Sequence, residues 1–552
     1  MAPEIEQGPG MDWDIIIAGG GTAGSVLAAQ LSATPSRRVL LIEAGPADGN
    51  PFIRLPKGVG KLMADPAYLF RYQITSGNGP PDRKPEVLVR GRVLGGSSAV
   101  NGMVYHRGQP QDYDAWEGLG LRGWGWKDIE PCFVALEDHV LPQTPWRGRG
   151  GPIGITLNRP KGLGQTVIRG AQDLGLPYKE EPNLLDQLGV GPVAQTIDRR
   201  GERVSAARGF LTPEVRRRPN LRIITDTLVE RVLFEGRRAV GVRCSGEGAG
   251  DYRAASEVIL SMGALETPKI LQISGVGPAE HLRGLGVEVV LDSPGVGANY
   301  RDHYALLSQW RLRRWGDSEN LEYSGWRLWR NMLRYGLLRD GPMATSAQQV
   351  VMFGEMAGQT GRADVEFLFA AYSLARKPGE GKGSGMERQP GCHFFCFPLR
   401  GTSQGSVMAV SADAAAPPKI TPNYLSTDYD RSCVVGAARF VRRLMAKPEL
   451  ERYVAGELAP VADAQSDDEL IDVALREGWS CYHSVGTCKM GSDGDRQAVL
   501  DERLRVRDLG ALRVVDCSVM PEQVSANTNG PTMAIALRAS KMIAEDLQGE
   551  RA

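Results

Sequence analysis

The sequence lacks the features of several large protein classes. Only eight of its 552 residues are cysteine, and they are scattered along the chain. This pattern is unlike the disulfide framework of a small secreted domain, so we expect free thiols. No apolar run reaches the roughly eighteen residues that a membrane-spanning helix needs. We therefore expect no transmembrane span.

An excess of charge of either sign is also absent. The 65 basic residues balance the 65 acidic residues, and the longest basic run is the three arginines of 216–218. Because binding to phosphates requires clustered positive charge, no nucleic-acid partner is expected. The N-terminus has no basic segment followed by an apolar stretch and does not resemble a signal peptide. We expect a cytoplasmic protein, with peripheral contact to the inner membrane as the alternative.

Glycine is abundant, with 68 residues, and one glycine cluster forms a recognisable unit near the N-terminus. The stretch WDIIIAGGGTAGSVLAAQLSATPSRRVLLIEAG predicts a buried strand over 14–18, a helix over 22–31 and a second strand over 39–42. Three glycines with the spacing G-x-G-x-x-G begin directly after the first strand, and the third lies in the first turn of the helix. This combination is typical of a βαβ unit that binds a dinucleotide.

Each residue type in this unit has a physical role. Gly19 permits a tight turn, Gly21 leaves room for a pyrophosphate, and Gly24 lets the helix pack close to the strand. The N-terminus of the helix attracts the phosphates. Glu43 follows the second strand, where a carboxylate accepts hydrogen bonds from ribose hydroxyls. The unit alone does not distinguish NAD from FAD.

Three further stretches have unusual composition. Residues 91–114, GRVLGGSSAVNGMVYHRGQPQDYD, contain a loop of small residues that lets a flat ligand approach the backbone. Residues 263–277, GALETPKILQISGVG, predict a helix that starts at Thr267 and Pro268. Residues 512–547 predict a strand that ends at Asp516 and a helix that begins near Pro531.

The stretch WSCYHSVGTCKMG, residues 479–491, places His483 between two cysteines. A metal site is disfavoured, because Cys481, His483 and Cys488 offer at most three ligands without a C-x-x-C pair. A thiol nucleophile requires a neighbouring base and an orienting group. From the residues alone, a buried structural histidine is the strongest alternative to a proton-transferring base.

Together these stretches resemble the glucose–methanol–choline (GMC) oxidoreductase family. Residues 91–114 resemble its first signature, 263–277 its second, and HSVGTCKMG and NTNGPT its C-terminal catalytic segments. The resemblance covers about residues 12–547, and the N-x-N-x-P-T ending is shared with bacterial alcohol and choline dehydrogenases. It implies bound FAD and oxidation of alcohols to carbonyl compounds.

The fold implied by the resemblance is α/β, with two domains. A discontinuous Rossmann-like FAD-binding domain is expected over 11–158, 208–306 and 479–552. An α+β substrate-binding domain with a mixed or antiparallel sheet is expected over 159–207 and 307–478.

The resemblance also implies the catalytic residues. His483 would take the proton of the substrate hydroxyl while hydride leaves for flavin N5. Imidazole, with an ordinary pKa of about 6.5, suits this role near neutral pH, and a positioned base contributes roughly 10²–10⁴-fold. Asn527 would hydrogen-bond the alcohol oxygen.

The helix that begins near Pro531 would point its N-terminus at the flavin pyrimidine ring, where its dipole stabilises negative charge. Some family oxidases attach FAD through a histidine before the equivalent of Asn101. This chain has Val100 there, so we expect non-covalent FAD. The remaining residues expected to contact FAD are Gly19, Gly21, Thr22, Ala23, Gly24, Glu43, Ala44, Arg92, Gly95, Gly96, Ser97, Asn101, Gly102, Met103, Val104, Val229, Tyr482, Asp516, Asn529, Pro531 and Thr532.

The expected reaction is therefore FAD-dependent oxidation of a primary alcohol, benzylic or aliphatic, to the aldehyde. Its partners would be the small alcohol and an electron acceptor, which is a quinone, a dye-type carrier or O₂. A dehydrogenase is favoured over an oxygen-using oxidase. A non-redox FAD-bound lyase of the hydroxynitrile type and an NAD-dependent enzyme are the alternatives.

Three other segments carry predictions. Alternation in 391–401 places Cys392, Phe394 and Cys396 on one strand face and His393, Phe395 and Phe397 on the other. One of these faces would line the substrate cavity. The helical pattern of 326–341 favours a core-facing helix with snorkelling arginines over a peripheral membrane contact or a channel wall. His303, in the segment NYRDH (299–303), is expected to be structural.

Overall fold

The structure is a computed structural model that describes residues 13–74, 80, 83, 86–183, 185–358, 361–375 and 385–549. Residues 11 and 12 and residues 550–552, at the two ends of the predicted FAD-binding domain, lie outside the described residues.

The strands follow one another along the chain as β1 (Trp13–Ala18), β2 (Val39–Ile42), β3 (Leu69–Ile74), β4 (Glu86–Gly91), β5 (Glu137–His139), β6 (Ile153–Asn158), β7 (Gly189–Gln195), β8 (Leu221–Ile224), β9 (Thr227–Glu235), β10 (Arg238–Gly246), β11 (Gly250–Leu260), β12 (Val276–Gly277), β13 (Leu291–Asp292), β14 (Tyr304–Leu312), β15 (Val350–Gly354), β16 (Val365–Ala370), β17 (Gly391–Pro398), β18 (Ser406–Met408), β19 (Lys419–Thr421), β20 (Val454–Glu457), β21 (Trp479–Ser480) and β22 (Leu512–Val514).

The α-helices are α1 (Thr22–Leu31), α2 (Pro51–Arg54), α3 (Val59–Leu62), α4 (Pro110–Gly118), α5 (Trp126–Leu136), α6 (Leu163–Asp173), α7 (Ala206–Phe210), α8 (Pro213–Arg216), α9 (Gly263–Ile273), α10 (Ala279–Gly284), α11 (Gly325–Leu338), α12 (Asp428–Met445), α13 (Pro448–Glu451), α14 (Asp467–Glu477) and α15 (Asn529–Gly549).

One sheet is built around the predicted βαβ unit. Strands β8, β2, β1 and β11 lie side by side in parallel, and β22 also pairs with β11 in parallel. The antiparallel strands β9 and β10 extend the sheet from the first half of β11. All four residues of β2 are buried, as expected for a parallel strand covered on both faces. The βαβ unit has the predicted order, with β1 one residue longer.

The second large sheet has the order β20, β14, β17, β16, β15, β7, β6 and β5, with β21 paired to β14. Its neighbouring strands are antiparallel except for β5 and β6, which are parallel. The expected combination of a Rossmann-like sheet with a mixed sheet is confirmed. The face of β17 that carries Cys392, Phe394 and Cys396 packs against α12, as the alternation predicts.

Sheet membership crosses the predicted domain boundaries at several places. Strand β21, from the predicted FAD-binding domain, pairs with β14 in the mixed sheet, and β3 pairs with β19 of the predicted substrate-binding domain. Strands β5 and β6, assigned above to the FAD-binding domain, pair within the mixed sheet. Strand β14 spans the boundary between residues 306 and 307. The division into domains therefore stays a prediction.

Helix α9 corrects one expected boundary, because it begins at Gly263 and not at Thr267. Pro268 lies inside the helix and has no N–H to donate to the carbonyl of Ala264. The hydroxyl of Thr487 donates to that carbonyl instead, at 2.7 Å. A distant residue thus lets the helix extend before its proline.

Helix α11 contradicts the core-facing interpretation. Only Asn331 and Tyr335 of this helix are buried, whereas the side chains of Trp326 and Trp329 are 67% and 77% exposed. None of the helices in the described ranges is long and apolar enough to cross a membrane.

Candidate active site

A cavity of about 500 Å³ is lined by residues from both large sheets. Its volume lies in the usual range for small-molecule sites. The predicted site residues that line it are Gly19, Gly21, Thr22, Ala23, Glu43, Ala44, Gly96, Ser97, Asn101, Gly102, Met103, Val104, Val229, Tyr482, His483, Asp516, Asn527, Asn529 and Thr532. The distant motifs of the sequence therefore meet at one place.

Four of the predicted FAD contacts, Gly24, Arg92, Gly95 and Pro531, do not line this cavity. A Cβ on Gly24 would lie 1.9 Å from the carbonyl oxygen of Gly19, so this glycine serves the packing of α1. Arg92 places its guanidinium 5.7 Å from the centre of the Phe70 ring.

The backbone approaches itself closely where the pyrophosphate is expected. A Cβ on Gly96 would lie 2.7 Å from Cα of Gly21, and one on Gly19 would lie 2.6 Å from the carbonyl oxygen of Ser261. Gly19 has a φ of +101° and Gly96 a φ of +54°, which favours glycine. Larger residues at these positions would fill the space beside the helix.

Glu43 is buried beside this turn. Its two carboxylate oxygens accept hydrogen bonds from the backbone N–H groups of Gly20 and Gly45, each at 2.9 Å. Burial raises its pKa to about 7, against the lowering by these hydrogen bonds and by Arg92. Both oxygens already accept backbone hydrogen bonds, so the carboxylate also fixes the conformation of the turn.

Helix N-termini converge on the cavity. The hydroxyl of Thr22, the first residue of α1, donates to Oδ1 of Asn529, the first residue of α15, at 3.0 Å. At the start of α9, Asp516 accepts hydrogen bonds from the N–H of Gly263 at 2.9 Å and the hydroxyl of Thr267 at 2.7 Å. Helix N-termini and glycine turns are the donor set that a dinucleotide requires, so the residues present fit FAD.

The ring of His483 is held from two sides at the other part of the cavity. Its Nδ1 lies 2.9 Å from Nδ1 of His303, and its Nε2 lies 3.0 Å from the amide nitrogen of Asn527. Nε2 of His303 lies 2.8 Å from the carbonyl oxygen of Leu399.

These contacts fix the tautomer of His483. A carbonyl oxygen only accepts, so Nε2 of His303 carries a proton and donates to Leu399. Burial, opposed by hydrogen bonds to the carbonyls of Leu399 and Val524, lowers the pKa of His303 to about 4. Its neutral ring therefore has a bare Nδ1, which accepts from Nδ1–H of His483. Nε2 of His483 is left with a lone pair, to which the amide N–H of Asn527 donates.

The same burial keeps His483 neutral. Its pKa is lowered well below 6.5, first by burial and then by electrostatic interactions with His303, Arg90 and His106. At neutral pH its Nε2 is therefore unprotonated and able to accept a proton.

The main chain around His483 is anchored by Asp302. One carboxylate oxygen accepts from the N–H of His483 at 2.8 Å, and the other accepts from the hydroxyls of Ser480 and Tyr300. Tyr482 adopts a φ of +64°, and its carbonyl accepts from Arg90 at 2.8 Å. Positive φ in a bulky residue indicates a conformation imposed by its surroundings.

Aromatic side chains form the wall near His483. Phe395 and Phe397 of β17 line the cavity, as one face of the alternating strand was expected to do. The ring of Phe397 lies 6.0 Å from that of His483, and the ring of Phe395 lies 5.4 Å from that of Trp479. This part of the cavity suits an apolar substrate group.

The cysteine chemistries considered for this segment have little support. Burial raises the pKa of the Cys481 and Cys488 thiols well above the ordinary value, which disfavours a reactive thiolate. Within the described part of the chain, no group of three or more His, Cys, Asp or Glu side chains is arranged to hold a metal ion.

Three further residues position the site: Arg90 and Asp302, which had no predicted role, and His303, which was expected to be structural. Asp302 and His303 are adjacent, and together they hold the main chain and the ring of His483. The available signal was a consecutive Asp-His pair at the start of a strongly apolar strand, where buried polar residues need specific partners.

Comparisons with known proteins agree with this geometry. A family model described as GMC oxidoreductase matches residues 13–305, and a second with the same description matches residues 401–536. Two curated relatives are the oxygen-dependent choline dehydrogenase of Brucella anthropi, 33% identical, and the mitochondrial choline dehydrogenase of Homo sapiens, 36% identical. The matches cover 97% and 96% of this chain, and 96% and 90% of those proteins.

A solved structure with a similar fold is pyridoxine 4-oxidase from Mesorbium loti. It superposes with a TM-score of 0.85 at 31% identity, and the match covers 96% of this chain and 99% of that one.

Proposed function

The chain belongs to the GMC oxidoreductase family, and on that premise we propose that it oxidises a neutral primary alcohol, of the benzylic type, to the aldehyde. Members of this family are FAD-dependent enzymes acting on CH–OH donors. The observation that carries the proposal is the bare Nε2 of His483, which lines the cavity beside Asn527.

FAD would be held by the glycine turn of Gly19 and Gly21, by Glu43 and by the helix N-termini at Thr22 and Asn529. When bound, its flavin ring supplies the acceptor for the hydride that leaves the alcohol carbon. Val100 stands where some family oxidases carry the histidine that attaches the cofactor, so the proposed binding is non-covalent.

His483 acts as the base in the proposed reaction. Its Nε2 takes the hydroxyl proton of the substrate, while His303 keeps the proton of the ring on Nδ1. The amide of Asn527 orients the oxygen that loses this proton. A base whose tautomer is fixed before the substrate arrives keeps its accepting nitrogen on the side of the cavity, and only the hydrogen bond from the Asn527 amide has to give way to the substrate hydroxyl.

The charges near the base favour a neutral substrate. The guanidinium of Arg90 places a positive charge near His483 and lowers the pKa of this histidine, whereas the ring of His303 is neutral at neutral pH. Such a charge stabilises a developing alkoxide and opposes a quaternary ammonium group. The carboxylates that line the cavity already have partners: Gly20 and Gly45 for Glu43, Tyr72 and Lys269 for Glu266, and Gly263 and Thr267 for Asp516.

Two relatives are named choline dehydrogenases and one solved neighbour is named a pyridoxine oxidase. The wall of Phe395, Phe397 and Trp479 provides apolar contact for an aromatic alcohol. Because aromatic faces also attract quaternary ammonium groups, the preference for a neutral substrate over cationic choline rests on the positive charge near the base and not on this wall.

The test is anaerobic reduction of the purified yellow protein by added alcohols, monitored through the flavin absorbance near its visible maximum. Benzyl alcohol is expected to bleach the flavin faster than choline at equal concentration. Bleaching by choline alone would overturn the substrate class, and an unchanged spectrum with every alcohol would favour the non-redox lyase. Oxygen uptake by the same mixture in air distinguishes an oxidase from a dehydrogenase.

A further inference from the structure

Helix α11 presents an apolar surface to solvent. We define its apolar ridge as Trp326, Trp329, Leu333, Leu337 and Leu338, whose side chains are between 65% and 77% exposed. The first four follow the spacing i, i+3, i+7 and i+11, which places them on one side of the helix. Large apolar residues that are clustered and exposed in this way mark an interaction surface.

The opposite side of the helix is already occupied. Leu328, Met332 and Tyr335 pack against a cluster that contains Leu55 and Met343. The apolar ridge is therefore distinct from the face of α11 that packs against the rest of the protein.

The charges of the helix have one sign. Arg327, Arg330 and Arg334 lie along one flank of the apolar ridge, and the helix contains no acidic residue. Glu322 pairs with both Arg327 and Arg330, and Asp340 pairs with Arg334, while the side chains of Arg330 and Arg334 remain 51% and 52% exposed. The guanidinium of Arg330 lies 5.2 Å from the centre of the Trp326 ring.

We propose that the apolar ridge of α11 docks this protein on the surface of an anionic lipid bilayer. Tryptophan and leucine on one face with arginine beside them are typical of helices that lie in the interface, with the apolar face about 5–10 Å deep. The arginines complement the charge of anionic headgroups, and tryptophan prefers the level of the headgroups.

A second copy of the chain fits the surface less well. Fourteen residues give a helix of about 21 Å, and a face about 10 Å wide covers roughly 200 Å². A stable protein–protein interface buries about 800 Å² per partner. A bilayer imposes no such minimum, because a single inserted helix face is sufficient for reversible binding.

The location of the helix connects docking to the cavity. The buried side of α11 packs on Phe52 and Leu55, and the next turn of the chain supplies Val59 and Met63 to the cavity wall. Docking through α11 would therefore bring one wall of the cavity to the membrane side of the molecule.

The experiment uses the flavin-loaded full chain and flotation with vesicles of phosphatidylcholine, with and without phosphatidylglycerol. The wild type is expected to float with the anionic vesicles and to be released by high salt. W326A/W329A is expected to reduce partitioning about tenfold or more, since two large apolar side chains no longer insert. W146A changes an exposed tryptophan on the loop between β5 and β6 and is expected to float as the wild type does.

The ridge residues do not line the cavity, so flavin content and the rate of flavin reduction by alcohol should stay unchanged in W326A/W329A. Flotation of this variant equal to the wild type would overturn the proposal. A wild type that does not bind anionic vesicles would also overturn it. The same holds if sedimentation shows that the wild type is a dimer and that W326A/W329A is a monomer. Quenching of tryptophan fluorescence by brominated lipids in the wild type, but not in W326A/W329A, would support it independently.

Discussion

The Nδ1 atom of His303 lies 2.9 Å from the Nδ1 atom of His483, although 180 residues separate them in the chain. His303 in turn contacts the carbonyl oxygen of Leu399 through its other ring nitrogen. Each contact determines which nitrogen of the next ring carries a proton. The carbonyl of Leu399, on the far side of His303, thus determines which nitrogen of His483 is free to accept a proton.

Replacing His303 tests this relationship. In His303→Phe, Nδ1–H of His483 loses its acceptor and the ring is free to adopt the other tautomer. We expect flavin reduction by alcohol to slow about tenfold or more, within the range attributed to a positioned base. Stopped-flow absorbance under anaerobic conditions measures this rate.

His303→Gln is the matched control, because its side-chain oxygen retains an acceptor near His483. Partial recovery of the rate relative to His303→Phe is expected. Equal rates in both variants and in the wild type would show that His303 only fills space beside Phe397.

His483→Ala removes the proposed base without removing residues of the glycine turn. We expect the variant to keep FAD and to lose about 10²–10⁴-fold in the rate of flavin reduction. The control His281→Ala changes a histidine that contacts the carbonyl of Ala409 and does not line the cavity. A His483→Ala variant that reduces its flavin at the wild-type rate would remove His483 from the mechanism.

The pH dependence follows from the direction of the pKa shift. Burial lowers the pKa of His483 well below 6.5, so the neutral, proton-accepting form persists as the pH falls through that value. We expect kcat/KM for the alcohol to decline only at a pH below 6.5, where the free enzyme takes up a proton. An acid limb centred at or above 6.5 would contradict the buried environment of the base.

Local patterns in the sequence predicted the βαβ unit well, because β1, α1 and β2 depend mainly on neighbouring residues and on glycine geometry. The predicted start of α9 was wrong, because the hydroxyl of Thr487, more than 200 residues away, accounts for a carbonyl in the first turn of the helix. The Asp302-His303 pair indicated buried polar residues in need of partners, but no local pattern identified His483 as the partner of His303. This contact arises only when β14 and the segment after β21 meet.

Helix α11 shows a second limit of pattern reasoning. Both of its sides carry apolar residues at helical spacing, with Leu328 and Met332 on one and Trp329 and Leu333 on the other. Periodicity predicts the helix but does not identify the buried side, which the contact with Leu55 determines.

The cofactor is expected to leave the protein when the fold is lost. Val100 lines the cavity and offers no side-chain nucleophile for attachment to the flavin. After acid precipitation, all of the yellow colour should be found in the supernatant. Flavin that remains with the precipitate through washing would show a covalent bond and refute the proposed non-covalent binding.

Substitutions of Glu43 distinguish a role in cofactor binding from a role in the stability of the turn. Glu43→Ala leaves the buried N–H groups of Gly20 and Gly45 without their acceptors, which costs about 1–3 kcal/mol for each group. Glu43→Gln keeps one side-chain oxygen, so an intermediate effect is expected. Titration of apoprotein with FAD, monitored by flavin fluorescence, should show an affinity that decreases from the wild type to Glu43→Gln and further to Glu43→Ala.

If the thermal stability of the apoprotein decreases in this order while the affinity for FAD stays constant, Glu43 supports the turn and does not bind the ribose. A carboxylate in contact with the cofactor must change the affinity as well, because its replacement alters the bound state directly and not only the fold.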